Sequence, residues 1–274
     1  MRQGKLPPLG RVLYVFVVAF MFSIFLFPFL WMILSSFKTQ VDIMSVPPSF
    51  IFKPTLQNYA SVFADHDFGQ YMFNSFYIAV GSTAAGLLLG LPASFTIARY
   101  KQQGLAFAIL VARIVPGITM LIPWFMIFSQ LKLVDTPVAL ILTHMLVTMP
   151  FIVWVMISFF EGIPQDLIDA ARVDGCTEQS AFLRVVLPIS GPGIITGSIM
   201  AFLFSWNNFM FSNILTGMRT KTLPVAIFNF LSYTEIDWGG LMAASVIITM
   251  PVIILTLFTQ KYIVRGLTAG AVKG

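Results

Sequence analysis

Residues 162–188 read GIPQDLIDAARVDGCTEQSAFLRVVLP, a polar interruption late in an otherwise almost continuously apolar chain. Pro164 suits the first turn of a helix, where its missing N–H costs nothing, and Asp166 then lies near the positive end of the helix dipole. Leu167, Ala170, Ala171 and, less regularly, Val173 make an apolar stripe against Asp166, Asp169 and Arg172. Gly175 can take the left-handed conformation that ends a helix, and Thr177 can cap a second helix running toward Arg184. Pro188 marks re-entry into apolar sequence. The expectation is helix, turn, helix at a membrane surface, with small side chains at Ala170 and Ala171 that let another surface approach the backbone.

Working outward, composition sets the class. Of 274 residues, 58% are hydrophobic and 10% charged, with 28 Phe, whereas a soluble domain carries about 25% charged residues. Apolar runs longer than 18 residues read as membrane spans. They fall at Val12–Leu34, Phe73–Ala98, Leu105–Ser129, Pro137–Phe160, Ile189–Leu215 and Leu241–Val264, giving an all-α polytopic membrane protein with six transmembrane helices. The first run follows Arg2, Lys5 and Arg11 but is longer than the apolar core of a signal peptide and has no clear cleavage site, so it reads as a retained span.

Basic residues divide unequally between the loops. Arg2, Lys5, Arg11, Arg99, Lys101, Arg172, Arg184, Lys261, Arg265 and Lys273 fall on one side; Lys38, Lys53, Lys132, Arg219 and Lys221 fall on the other. Ten against five places both termini and the 162–188 segment in the cytoplasm. This clustering at span ends accounts for the net charge of +5 and argues against nucleic acid as a partner. The single Cys176 excludes an internal disulfide.

The outer loops differ in character. Residues 35–72, with Pro47, Pro48 and Pro54, read as an exposed and partly extended segment, because proline is excluded from helix interiors. Residues 216–240 carry Arg219, Lys221, Glu235 and Asp237. Each is either a solvated connection or a docking surface for an external protein. Pro28, Pro92, Pro116, Pro123, Pro150 and Pro251 lie inside the expected spans, where each frees a carbonyl that neighbours or water must satisfy. Gly86–Gly90 and Gly193–Gly197 have the spacing that permits close helix packing.

Asp169-Ala170-Ala171, Gly175, Val185, Leu187 and Pro188 carry a resemblance. Their spacing is that of the Glu-Ala-Ala signature of permease subunits in binding-protein-dependent ABC importers, with Asp for Glu at 169 and Val for Ile at 185. SSFK at 35–38, NS at 74–75, IARY at 97–100, LVDTPVALIL at 133–142 and FSWNNFMFSNILT at 204–216 are similar to the smaller, maltose-type permease of carbohydrate importers. So is the C-terminal QKYIVRGLTAGAVKG.

The resemblance implies a type I ABC importer permease fold in one transmembrane domain, residues 1–274, with a core of about 70–265, a coupling segment at 162–188 and a tail at 265–274. It implies that Asp169, Ala170, Ala171, Asp174, Gly175, Leu187 and Pro188 engage an ATPase subunit. It further implies that the tail, including Gly270, Lys273 and Gly274, reaches the ATPases. The expected partners are a second homologous permease, two ATPase subunits and an extracytoplasmic solute-binding protein, in a bacterial cytoplasmic (inner) membrane.

Candidate pathway residues come from polarity within spans. Trp206, Asn207 and Asn208 lie deep in the expected fifth span, where amides are costly unless hydrogen-bonded. They serve either interhelical bonding or contact with a sugar, with Trp206 stacking on its ring. Arg113, the ninth residue of the expected third span, either snorkels or faces protein or a water-filled cavity. His144 reads as a hydrogen-bonded helix residue and His66 as solvated. These residues form no catalytic or metal set.

The chain has no GxxxxGK[ST] phosphate loop, so no cofactor is expected on it, and ATP and Mg belong to the partner ATPase. The reading is a non-catalytic permease subunit importing a sugar or sugar-like solute. The alternatives are a permease for a non-sugar solute and a secondary transporter. The latter would need buried ionisable residues for ion coupling, and the spans offer only Arg113 and His144.

Overall fold

The computed structural model describes residues 8–231 and 236–269, and every regular element among them is a helix. In chain order these are α1 (Pro8–Ser36), α2 (Gln40–Ile43), α3 (Gln57–Ala64), α4 (Phe68–Arg99), α5 (Gln103–Ile114), α6 (Gly117–Gln130) and α7 (Pro137–Glu161). There follow α8 (Gln165–Val173), α9 (Glu178–Ala181), a π turn at Phe182–Val186, and α10 (Leu187–Ile189). The last are α11 (Gly191–Trp206), α12 (Met210–Leu215), α13 (Leu223–Ala226), a 3₁₀ turn at Ile227–Phe230, and α14 (Trp238–Ala269).

Four helical stretches are long and apolar enough to cross a membrane: Gly10–Ser36, Phe68–Arg99, Pro137–Glu161 and Trp238–Phe258. Two bent pairs bring the number to six if each is one span. The first corrects the expected unbroken span Leu105–Ser129. It is α5 and α6, which meet at 88°. Pro116 disfavours the helical region for the residue before it, and Val115 accordingly has φ −59° and ψ 121°.

The expected fifth span, Ile189–Leu215, is also discontinuous. Glu178–Ile189 and Gly191–Trp206 meet at 79°. Beyond α11, the chain leaves the helix at Asn207 and restarts after Asn208, whose Oδ1 accepts the Phe211 N–H at 3.2 Å.

The residues group into two compact units. One is residues 1–67 with 227–249. Here α1 is exposed at every residue from Arg11 to Leu30. The segment expected to be exposed and extended instead carries α2 and α3 and buries Lys38 and Val62. Lys38 Nζ donates to the Ser49 carbonyl at 2.7 Å and lies over the Trp31 and Phe52 rings at 4.5 and 5.0 Å, so its charge is met by a carbonyl and two π faces. His66, expected to be solvated, is half-buried with its ring 4.5 Å from that of Phe230.

The other unit is residues 68–226 with 250–274. Its core is α4, α7 and α11. Gly86 and Gly90 allow α4 to approach α7: a Cβ at Gly86 would lie 3.0 Å from Ile152 Cδ1, and one at Gly90 3.2 Å from Ile152 Cγ2. Of the second pair only Gly193 is packed, with Phe159 ring carbons 2.6–2.8 Å from where its Cβ would be. Toward the C-terminal ends of α4 and α7, Phe95, Ile152, Met156, Phe160, Ile168 and Ala171 share one hydrophobic cluster. Toward the other ends, Ile78, Phe128, Ala139, Leu140 and Leu215 form a second.

Candidate functional site

The 162–188 segment folds as its local chemistry dictates. Pro164 precedes α8, Gly175 has φ +85°, and the Thr177 hydroxyl accepts the Ser180 N–H at 3.2 Å to cap α9. The buried face differs from the expected stripe. Ile168 and Ala171 are buried, whereas Leu167, Ala170 and Val173 are exposed, Val173 to 88%. A helix with apolar residues on two faces can bury only one of them against its own chain, and here the hydrophobic cluster under α4 and α7 takes Ile168 and Ala171. Asp174 and Gly175 are exposed, Leu187 is half-buried and Pro188 exposed.

This segment is fastened to the end of α4. Arg99 lies 3.9 Å from Asp169 Oδ1 and donates to the Gln165 side-chain carbonyl. Gln165 in turn donates to Asp169 at 2.8 Å, an i, i+4 pair on one helix face. The Tyr100 hydroxyl donates to both Glu178 carboxylate oxygens at 2.9 and 3.1 Å. The hydrogen bond to Glu178 and the nearness of its charge push the Tyr100 hydroxyl pKa above the ordinary value of 10.0, so the phenol stays protonated and donating. A cleft of about 650 Å³ lies between α4 and α8, lined by Arg99, Lys101, Gln103, Glu161 and Gln165 among others. In the sequence, Arg99 is a basic residue beside a span end and Tyr100 the last residue of IARY at 97–100. Complementary charge in two loops on one side is a signal for the Arg99–Asp169 pair, and Tyr100 carries none.

At the opposite ends of α4 and α7, Asp135 collects the 216–223 loop. One carboxylate oxygen accepts from Gly217 N at 2.9 Å, Thr220 N at 3.0 Å and Thr220 Oγ1 at 2.7 Å; the other accepts from Arg219 N at 3.4 Å. Partial burial works to raise the Asp135 pKa, but these donors outweigh it and hold it below the ordinary 3.8. Asn74 Nδ2 donates to the Arg219 and Lys221 carbonyls at 2.9 and 3.0 Å, and Ser75 Oγ accepts from Leu223 N at 2.8 Å. None of these three residues was a candidate from sequence.

The structure divides the Trp206–Asn208 trio. Trp206 is 3% exposed, its ring stacked 5.7 Å from that of Phe202. It lines an apolar groove of about 1040 Å³ with Met72, Phe76, Leu87, Ile199 and Phe202. Asn207 and Asn208 do not share that groove. With Val147, Leu203, Phe204 and Met210 they line a cleft of about 510 Å³ at the α11–α12 break. Arg113, at the end of α5, is brought to the same place: its guanidinium is 5.1 Å from the Phe151 ring and 5.8 Å from that of Phe204. The two rings meet edge to face at 5.3 Å.

The two breaks also touch, since a Cβ at Gly117 would lie 3.0 Å from Met210 Cε. His144 Nδ1 is 2.7 Å from Ser205 Oγ and its Nε2 is 3.3 Å from Ser212 Oγ, bridging α11 and α12. Gly270, Lys273 and Gly274 lie outside the described residues.

Comparison with known proteins identifies the family to which this arrangement belongs. The family model of the binding-protein-dependent transport system inner membrane component matches residues 82–269, and the chain belongs to that family. It is 36% identical to the sulfoquinovosyl glycerol transport system permease protein SmoH of Agrobacterium fabrum, over 91% of this chain and 89% of the relative. It is 35% identical to the trehalose/maltose transport system permease protein MalG of Thermococcus litoralis, over 97% of this chain and 98% of the relative. Its fold is that of a chain in the crystal structure of a bacterial ABC transporter involved in import of the acidic polysaccharide alginate. That match has a TM-score of 0.80 at 17% identity and covers 95% of this chain and 99% of the other.

Proposed function

We propose that this permease carries a sugar or sugar-like solute, forming half of the pathway beside a second homologous permease. Relatives whose names specify trehalose/maltose and sulfoquinovosyl glycerol support that solute class. Two ATPase subunits, which hold ATP and Mg, drive it, and an extracytoplasmic binding protein delivers the solute. Both termini and the 162–188 segment face the cytoplasm, in keeping with the excess of basic residues on that side.

The observation that carries this reading is the two-sided 162–188 element. One face, Ile168 and Ala171, is packed into its own chain, and Arg99 and Tyr100 tie it to α4. The other, with Leu167, Ala170, Val173 and Gly175, is presented outward. Such an element transmits displacement: a partner gripping the outer face moves α8 and α9, and these pull on α4. Asp169 is a fastening residue within that coupling, Asp174 and Gly175 shape its outer turn, and Leu187 and Pro188 connect it to α11. ATP binding closes the ATPases and shifts this element. The bundle then opens outward, and the solute passes the cleft of Asn207, Asn208 and Arg113. The tail, with Gly270, Lys273 and Gly274, adds a second ATPase contact.

The test is Ala170→Trp, which adds bulk on the outer face without entering the packed one. It is expected to abolish co-purification of the ATPase subunits while the permease pair stays intact, with Ala170→Ser as a silent control. Unchanged ATPase recovery with Ala170→Trp would remove the coupling role.

A further inference from the structure

We infer that the solute is anionic, a sugar or sugar-like molecule bearing a carboxylate, sulfonate or phosphate group, and that Arg113 receives that group at the Phe204–Asn207–Asn208 cleft. The inference rests on the importer reading above and names its substrate class.

Arg113 sits over Phe151, which is fourteen residues from the start of α7 and ten from its end. At 1.5 Å per residue these are about 21 and 15 Å, so the guanidinium lies near mid-depth of a spanning helix. A charge there is costly against lipid and belongs on a water-filled passage or a partner group. Arg113 is exposed, so its own chain does not enclose it.

Among the described residues the one ion pair is Arg99–Asp169. Helices α4 to α7, α11 and α12 contain no Asp or Glu except Glu161, the last residue of α7. Two ring faces hold the guanidinium in place, yet π faces leave its five N–H donors free for the oxygens of an oxyanion.

Phe204 links the cation to the cleft, because its ring is both under Arg113 and in the cleft wall. Asn207 spends its Nδ2 on the Leu203 carbonyl at 2.9 Å, and Asn208 spends its Oδ1 on the Phe211 N–H. The remaining atom of each amide has no partner among the described residues, leaving one acceptor and one donor for hydroxyls. Aromatic wall, two half-free amides and one unneutralised cation suit a sugar ring with an acidic substituent. The site falls where two broken helices face each other, and discontinuous helices are where transporters place substrate.

The test uses the complete importer, with its partner permease, ATPases and binding protein, in proteoliposomes. Uptake is measured for two disaccharides alike except that one carries glucuronate where the other carries glucose. The acidic one is expected to enter at least about tenfold faster, and Arg113→Gln is expected to lower its rate about tenfold or more. Arg113→Lys falls between, because it keeps the charge and loses the fork.

Preference for the neutral disaccharide, unaltered by Arg113→Gln, would overturn the anionic class and leave the sugar importer standing. Uptake of neither disaccharide, with the binding protein shown to bind both, would overturn both. Loss of the permease pair with Arg113→Gln would assign the charge to a partner carboxylate. An effect present in phosphatidylglycerol vesicles but absent in phosphatidylcholine would assign it to lipid headgroups. Either assignment overturns the inference.

Discussion

The two ends of α4 are tied to the rest of their unit by opposite kinds of chemistry. At its start, Asn74 and Ser75 bind backbone groups of the 216–223 loop, and Asp135 gathers four donors of that loop on one carboxylate. At its end, half-buried Arg99 and exposed Tyr100 reach Asp169, which is exposed, and Glu178, which is half-buried, through long side chains, the ion pair at 3.9 Å. Short side chains holding backbone leave few rotamers and fix a loop. Long side chains paired at the protein surface give under load, and a 3.9 Å pair whose carboxylate is 54% exposed gains little, about 1 kcal/mol or less. The first arrangement makes a rigid platform and the second a compliant joint, as suits an element that must move with a partner.

The strongest way to break this contrast is at Asp135. Asp135→Ala removes the acceptor and places Ala at φ +58°, so a loss on the order of 2–4 kcal/mol is expected. Faster hydrogen exchange across residues 216–223 would report it. Asp135→Asn, which tolerates that backbone, should recover part. Because the folded pKa is depressed, the clamp is fully in force above the unfolded value near 3.8 and weakens as pH falls through the lower folded value. Release of the loop at neutral pH would contradict the clamp.

A middle-sized effect tests the beam between the two ends. Gly86→Leu drives a side chain into Ile152 and should cost about 1–3 kcal/mol, read as a lower Tm of the purified subunit. Smallest is the joint itself. Arg99→Gln with Tyr100→Phe should leave the unfolding free energy within about 1 kcal/mol of wild type while lowering solute-stimulated ATP hydrolysis in the assembled importer. A large stability loss would make this end as rigid as the other.

Much of this was legible, and the limits are physical. Pro164, Gly175 and Thr177 act through their own backbone, so their helix start, left-handed turn and cap could be read directly. Pro116 could not be resolved, because a proline in an apolar run reads the same whether it kinks a helix or ends one. The buried face of α8 was misread, since Leu167 and Val173 are as apolar as Ile168 and only the tertiary neighbours choose between them. Asp135, Asn74 and Arg99 act across 66 to 147 residues of sequence, a separation at which pattern carries no information. Asn207 and Trp206 are adjacent in sequence but face different cavities, because the helix ends between them.

Helix α1 is exposed from Val12 to Leu30 and apolar there apart from Ser23. A segment in that condition answers to its solvent and to no neighbour in its own chain. Exchanges among Leu, Ile, Val and Phe along it will not register in the folding of the isolated subunit, whereas a single charge will register at once. Tolerance there is therefore a measure of the surroundings the helix keeps, and sequence drift along it should be fast in identity and slow in hydropathy.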